Sequence, residues 1–332
     1  MIEDQVTTPT PSGRERIGIK RRFARFFFSQ AMLFVFIVLF ILINIVSDKF
    51  LSGQNLFNII RQTTVMGMMA CGMTVVIIGK GVDLSAASIL ALCAVVNVML
   101  QDYGYIVSIA VAIVIGIICG LINGYIIGKI QANFVVVTLG TQILFTATAL
   151  IVSGGRNLRS RMEPMFSYVG DRSILGIPVM AYFLAATFII FGVLLHKTIR
   201  GRQLIATGLN ARAARVSGIN TSKIIMLSYV VNGFICAVAS IVLTSRLPRV
   251  RVGTASEYLF DVITIVVLGG TALTGGVGGI HKTLIGLGIF AIITNGMSLL
   301  GIPFEYQQMI KGIVLVFAVL LDEFNRRKRL LY

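Results

Sequence analysis

Two apolar runs, Thr63 to Gly79 and Leu84 to Leu100, are broken by Gly79-Lys80-Gly81-Val82-Asp83. Facing hydrocarbon, each charge in that break would cost roughly 2.5–3.5 kcal/mol even on lenient insertion scales. The chain must therefore turn at a membrane interface there, or break where protein or water surrounds it. Asp83 is followed by Leu84-Ser85-Ala86-Ala87-Ser88, a good helix start, so one reading is an N-cap in a tight hairpin, worth about 1 kcal/mol. The other is a broken segment lining a solute path.

Further apolar runs lie at 26–46, 105–128, 134–153, 179–196, 224–244, 261–274, 283–300 and 308–321, ten with the first two. With 56% hydrophobic and 13% charged residues, a soluble domain is excluded. The expectation is an all-α polytopic transmembrane bundle of about ten spans. Several runs fall short of the roughly 20 residues a perpendicular span needs, which predicts short or broken helices. The net charge of +16 raises a nucleic-acid reading, but the bases gather in short stretches between apolar runs, as topology signals do. No nucleic-acid partner is expected. Residues 1–25 read as a basic N-terminal tail, polar and disordered through Ser12, then carrying Arg14, Arg16, Lys20, Arg21, Arg22 and Arg25. The run after it is too long for a signal peptide and reads as a retained span. Residues 26–322 read as one transmembrane domain that includes the loop 197–223, and 323–332 as a second basic tail with Arg326-Arg327-Lys328-Arg329. Both tails and the loop Lys197 to Lys223 are expected in the cytoplasm.

Gly116, Gly120, Gly124 and Gly128 recur every four residues and mark one helix face for close packing. Thr74 to Gly79, then Leu84-Ser85, resembles Thr264 to Gly269, then Leu273-Thr274, and an Asn-Gly pair follows each, at Asn123 and Asn295. The chain thus reads as an internal repeat whose second copy has one span reduced or missing. Cys71, Cys93, Cys119 and Cys236 lie in apolar runs and read as small buried residues. His196 and His281 have no metal-ligand spacing with other donors. Gly276 to Thr283 approaches a phosphate-binding loop, but His281 replaces the second glycine and the flanks are apolar spans, so no nucleotide site is expected. No catalytic residue, cofactor or metal site is expected.

Phe50-Leu51-Ser52, Asn55-Leu56, Asn58-Ile59-Ile60-Arg61-Gln62, Gly72-Met73-Thr74, Gly81-Val82-Asp83-Leu84-Ser85, Val137-Thr138-Leu139-Gly140-Thr141, Ala213-Ala214-Arg215-Val216-Ser217-Gly218, Val267 to Gly276 and Asn295 to Gly301 stand in one order. From about Phe50 to Asp322 that order resembles the permease subunits of ribose-type ABC sugar importers. The resemblance implies a subunit of the bacterial inner membrane that pairs with a second permease copy. It further implies solute delivered by a soluble sugar-binding protein and drive from a separate ATP-binding cassette subunit. The segment Asn210 to Asn220 looks like the docking element for that ATPase, with Asn210, Ala213, Ala214, Arg215 and Gly218 as coupling residues. The sequence departs from the family at Ala211-Arg212, Lys80, Ala86-Ala87, Asn133 and Lys282-Thr283.

The resulting expectation is alternating access for a monosaccharide or similar small polar solute. Asp83, Ser85, Asn123, Thr138, Thr141, Asn295 and Ser298 are the pathway candidates, able to hydrogen-bond hydroxyls or to join helices. The topology puts Arg156, Arg159, Arg161, Arg172, Arg246, Arg249 and Arg251 on the extracytoplasmic face. They are expected either to contact anionic lipid headgroups or to dock the binding protein. The rival is an ion-coupled secondary transporter, with Asp83 and Asp261 as its only intramembrane carboxylates. A scaffold or channel stands third.

Overall fold

The computed structural model describes residues 31–161, 164–255 and 257–330. The N-terminal tail, with its basic cluster, lies outside the described residues. Thirteen α-helices are found among those described: α1 (Ala31–Val46), α2 (Gly53–Ile78), α3 (Ala86–Met99), α4 (Tyr105–Gly128), α5 (Phe134–Ser153), α6 (Pro164–Asp171), α7 (Val179–Lys197), α8 (Ile199–Leu209), α9 (Ala211–Val216), α10 (Thr221–Arg246), α11 (Tyr258–Leu268), α12 (Ile280–Leu299) and α13 (Phe304–Leu330). Four two-residue strands make two small antiparallel pairs, β1 (Leu158–Arg159) with β4 (Arg249–Val250) and β2 (Ser173–Ile174) with β3 (Ile177–Pro178). Among the described residues each of the ten apolar runs overlaps a helix, and six of these helices are long and apolar enough to cross a membrane. The fold is the expected helical polytopic bundle.

The connections sort to two ends. At one end the turns after α2, α4, α7 and α11 gather, and the Gly276 amide donates to the Ile78 carbonyl at 2.9 Å. This is the α8 end. At the other, the hairpin end, β1 and β4 join the segments after α5 and α10, while Gln101, after α3, bonds to Ser160 and Arg161. Successive spans therefore run in alternate directions, and α13 finishes toward the α8 end.

Burial grades from centre to rim. From Thr63 onward nearly all of α2 is buried, as is α3 on every side, which is how a helix of only 14 residues is accommodated within a bundle. α5 is the opposite case, with 22% of its most apolar window buried against 72% for α2. The helix α2 also begins ten residues before its apolar run. Ser52 caps it, its Oγ accepting the Asn55 amide at 3.3 Å.

The glycine stripe of α4 lies on α10. A Cβ at Gly116 would meet the Gly233 carbonyl at 2.5 Å, at Gly120 the Val230 Cα at 2.9 Å, and at Gly128 the Ser222 carbonyl at 2.6 Å. The small-residue face thus has a specific partner backbone.

The repeat is visible in the backbone. At the end of α2, Lys80 donates to Ile77 and Gly81 to Val76; at the end of α11, Gly270 donates to Val267 and Thr271 to Val266. Both are paired 6→1 and 5→2 helix caps with a left-handed C′ residue, Lys80 at φ +71° and Gly270 at φ +85°. Thr74 and Thr264 even bond back alike, to the carbonyls of Ala70 and Phe260. Where α3 follows the first cap, the second is followed by the loop 271–279, so the reduced span is the counterpart of α3. For the same reason the run expected at 261–274 is helical only to Leu268.

Candidate functional site

Asp83 is fully buried, and its carboxylate is held by hydrogen bonds from polar neighbours. Its Oδ1 accepts the Ser85 amide at 3.0 Å and the Ser85 hydroxyl at 2.6 Å; its Oδ2 accepts Asn232 Nδ2 at 2.9 Å. Asn123 Nδ2 donates to Ser85 Oγ at 2.8 Å and reaches Asp83 Oδ1 at 3.4 Å. The Ser85 amide bond to Asp83 Oδ1 closes a turn just before α3, but Asp83 does not cap the helix as the capping reading expects: the N-cap position is Ser85, whose side chain makes no cap bond because its hydroxyl is given to Asp83. The break also borders a cavity of about 130 Å³, where Gly79, Lys80 and Gly81 face Thr207, Ala211 and Tyr229. Gly81 lies against the Tyr229 hydroxyl, leaving no room for a side chain, and that hydroxyl finds no hydrogen-bond partner among the described residues.

The seven pathway candidates occupy three places. Asp83, Ser85 and Asn123 form the network just described. Thr138 and Thr141 face inward from α5, Thr138 donating to the Phe134 carbonyl and Thr141 to that of Thr138. Asn295 pairs with Asn55 near the hairpin end, each amide donating to the other, and only Ser298 reaches the surface. Asn232 and Tyr229 were not singled out from the sequence, where each is one polar residue in a long helix, and Asn55, in Asn55-Leu56, counted only toward the family resemblance. Asp261, the second intramembrane carboxylate, is paired with Lys311 of α13 at 2.9 Å, both side chains largely buried. Lys311 also stands 5.5 Å from the centre of the Phe290 ring.

At the α8 end, Asn210 caps α9 by accepting the Ala213 amide at 3.0 Å. Leu209, Val216, Arg212, Ala213 and Arg215 point outward, Val216 with 86% exposure. Ala214 does not share that face. It is buried against its own chain, so the expectation that it packs on a partner is corrected. Gly218 has φ +82° in open space, where a glycine serves the backbone turn. Behind this segment, Gly208 packs so closely on the Ile78 carbonyl and the Gly276 amide that a side chain would collide with both. The glycine-rich loop 275–279 thus serves the junction of α2 and α8. His281 sits beside His196, ring centres 5.7 Å apart, and no group able to hold a metal is found among the described residues.

At the hairpin end, β1 and β4 put Arg159 opposite Arg249, with exposed Arg156 and Arg251 beside them. Two loops far apart in sequence thereby form one basic patch. Arg161 is partly neutralised by Asp102 at 2.6 Å. Arg246 turns inward instead, its Nη1 donating to the Arg61 carbonyl at 2.8 Å, and joins the frame.

Comparison with known proteins identifies this arrangement. Residues 55–319 match the family model described as branched-chain amino acid transport system / permease component. The chain is 40% identical to the ribose import permease protein RbsC of Bacillus subtilis over 86% of its length and 89% of that protein's. Against RbsC of Escherichia coli K12 the identity is 34%, over 96% and 99%. Against the L-arabinose ABC transporter permease protein AraH of Azospirillum brasilense it is 32%, over 99% and 97%. No solved structure matches the chain. With its polytopic helical bundle and a match running through nearly every span, the chain belongs to the branched-chain amino acid transport system / permease component family, as a multi-pass permease of ABC importers.

Proposed function

We propose that the chain is the translocation subunit of an ATP-driven importer for a monosaccharide or a similar small polar solute. The observation that carries this reading is the near full-length likeness to permeases named for ribose and L-arabinose. The capped segment α8–α9 supports it, because its exposed Leu209, Val216 and arginines form no internal core and suit a partner on that side. ATP hydrolysis belongs to that separate subunit.

In this reading the α8 end faces the cytoplasm, with both chain termini, and the loop 197–223 couples to the ATPase through Asn210, Ala213, Arg215 and Gly218. A sugar-binding protein docks at the hairpin end on the patch of Arg156, Arg159, Arg249 and Arg251, with Arg161 beside it. A second permease copy packs along α5, whose outward residues Val136, Gly140, Ile143, Ala147 and Ile151 follow one helical stripe. The solute passes between copies. Asp83, Ser85, Asn123, Thr138, Thr141 and Asn295 exchange internal hydrogen bonds for solute hydroxyls as the bundle opens, and Ser298 already faces outward.

The test is reconstitution in proteoliposomes. Solute uptake should require the chain, its ATPase, its binding protein and ATP together. Uptake by the chain alone, driven by an ion gradient, would overturn the reading. Orientation is read separately with an impermeant maleimide in a cysteine-free background: in intact cells Asn157→Cys should label and Asn210→Cys should not.

A further inference from the structure

The pair β2–β3 is a minimal hairpin whose turn is Leu175-Gly176, and both turn residues have positive φ, +52° and +75°. Such turns favour asparagine, aspartate or glycine first, because a larger L side chain crowds its own backbone in the left-handed region. Here that position holds a leucine with 92% exposure. Ile174 and Ile177, cross-strand neighbours, are also exposed, so three large apolar side chains cluster at the tip. Internal packing does not explain them.

The hairpin's attachment indicates what does. Its base is closed by the Val179 amide donating to the Arg172 carbonyl at 3.0 Å. The Tyr182 hydroxyl donates to the Ile174 carbonyl at 3.0 Å. Tyr182 heads an exposed apolar stripe on α7 that continues through Ala186, Ile189 and Val193; with the second copy placed on α5, as in the proposed function, the stripe on α7 is left to lipid. Helix side chains lean toward the N-terminus, so Tyr182 reaches from the lipid side up to the hairpin and fixes it over the end of the stripe. A tyrosine with its ring against apolar surface and its hydroxyl on a carbonyl is suited to the membrane–water interface. Arg172, exposed at the hairpin base, adds a cation at that level.

We propose that the β2–β3 hairpin is a lipid-binding finger. Ile174, Leu175 and Ile177 lie at the headgroup–acyl boundary of the leaflet at the hairpin end, and Arg172 faces phospholipid phosphates. The occupant is lipid because the finger is continuous with the lipid-facing stripe of α7. The basic patch on β1–β4 is a separate strand pair. Strain at Leu175 is then offset by the apolar area it withdraws from water once a bilayer is present.

The chain contains no tryptophan, which makes the finger easy to probe. Leu175→Trp and Ile177→Trp each introduce a single indole, the second outside the strained turn, and Ile190→Trp on α7 is a deep, lipid-exposed reference. In phosphatidylcholine vesicles, lipids brominated near the headgroup should quench the two finger variants several-fold more than lipids brominated deep in the acyl chain. The reference should show the reverse order, and aqueous acrylamide should quench the finger weakly. Free quenching of both finger variants by acrylamide, with no response to brominated lipid, would overturn the proposal. So would shielding that arises only when the soluble binding protein is added, which would make the finger a protein contact.

Discussion

Asn55 and Asn295 hold each other across 240 positions of sequence by two reciprocal amide bonds of 2.9 and 2.8 Å, joining the start of α2 to the last turns of α12. Both are buried: removing Asn55 strands the Asn295 amide, while removing Asn295 leaves the Asn55 Nδ2 only its bond to the Phe50 carbonyl at 2.9 Å and its Oδ1 unpaired. Asn55→Leu or Asn295→Leu should each destabilise the purified protein by about 1–3 kcal/mol. The double variant should cost clearly less than the sum of the singles, as expected for directly coupled residues. Thermal unfolding in detergent of the four members of the cycle measures this; strict additivity would mean the pair does not act as a unit.

The two helix caps predict opposite outcomes for their left-handed residues. Lys80→Gly relieves a side chain held at φ +71°, and Gly270→Ala installs one at φ +85°. The first should raise stability and the second lower it, each by about 1–2 kcal/mol, read as shifts of the melting midpoint in opposite directions.

Glycines on two helices should behave differently under one substitution. Gly120→Leu forces α4 off α10, since even a Cβ there meets the Val230 Cα at 2.9 Å, whereas Gly140 on α5 has nothing within 4 Å. Gly120→Leu should abolish recovery of folded protein. Gly140→Leu should leave the monomer intact by size-exclusion chromatography, although it bears on the proposed contact with a second copy.

Coupling is best tested at Ala213, which faces outward, because Ala214 is buried and Gly218 has a glycine-favouring backbone. Ala213→Trp should leave melting unchanged while reducing ATP-dependent uptake at least tenfold in proteoliposomes. Normal uptake would remove α9 from the docking surface.

The basic patch calls for the pair Arg159 and Arg249 in place of Arg161, whose reversal would also break its bond to Asp102. Reversing both to glutamate should slow binding-protein association several-fold and flatten its salt dependence, as exposed charges act mainly on encounter. Stopped-flow association at two ionic strengths is the measurement.

Much of this fold is legible because apolar run length is a local property. All ten runs could be marked, and the glycine spacing of α4 announced a close helix contact without naming α10. The start of α2 was less visible: Gln54, Asn55, Asn58, Arg61 and Gln62 make its first turns polar, and tertiary bonds such as Asn55 to Asn295 and Arg246 to the Arg61 carbonyl help anchor them. Asp83, Ser85 and Asn123 were individually recognisable as polar residues in apolar surroundings. Their fourth member, Asn232, stands 149 positions from Asp83, and no spacing rule links the two. Lys311 escaped notice for the same reason. Its meaning lies in Asp261 on another helix.

The crowding of Gly208 onto the Ile78 carbonyl and the Gly276 amide has a mechanical consequence. Ile78 ends the helix of the first repeat, and Gly276 lies in the loop that follows the equivalent helix of the second. A displacement delivered along α8 therefore bears on both repeats at one point, like a single pivot gearing two arms. A tilt of either arm at this end would strain the Gly276–Ile78 hydrogen bond they share.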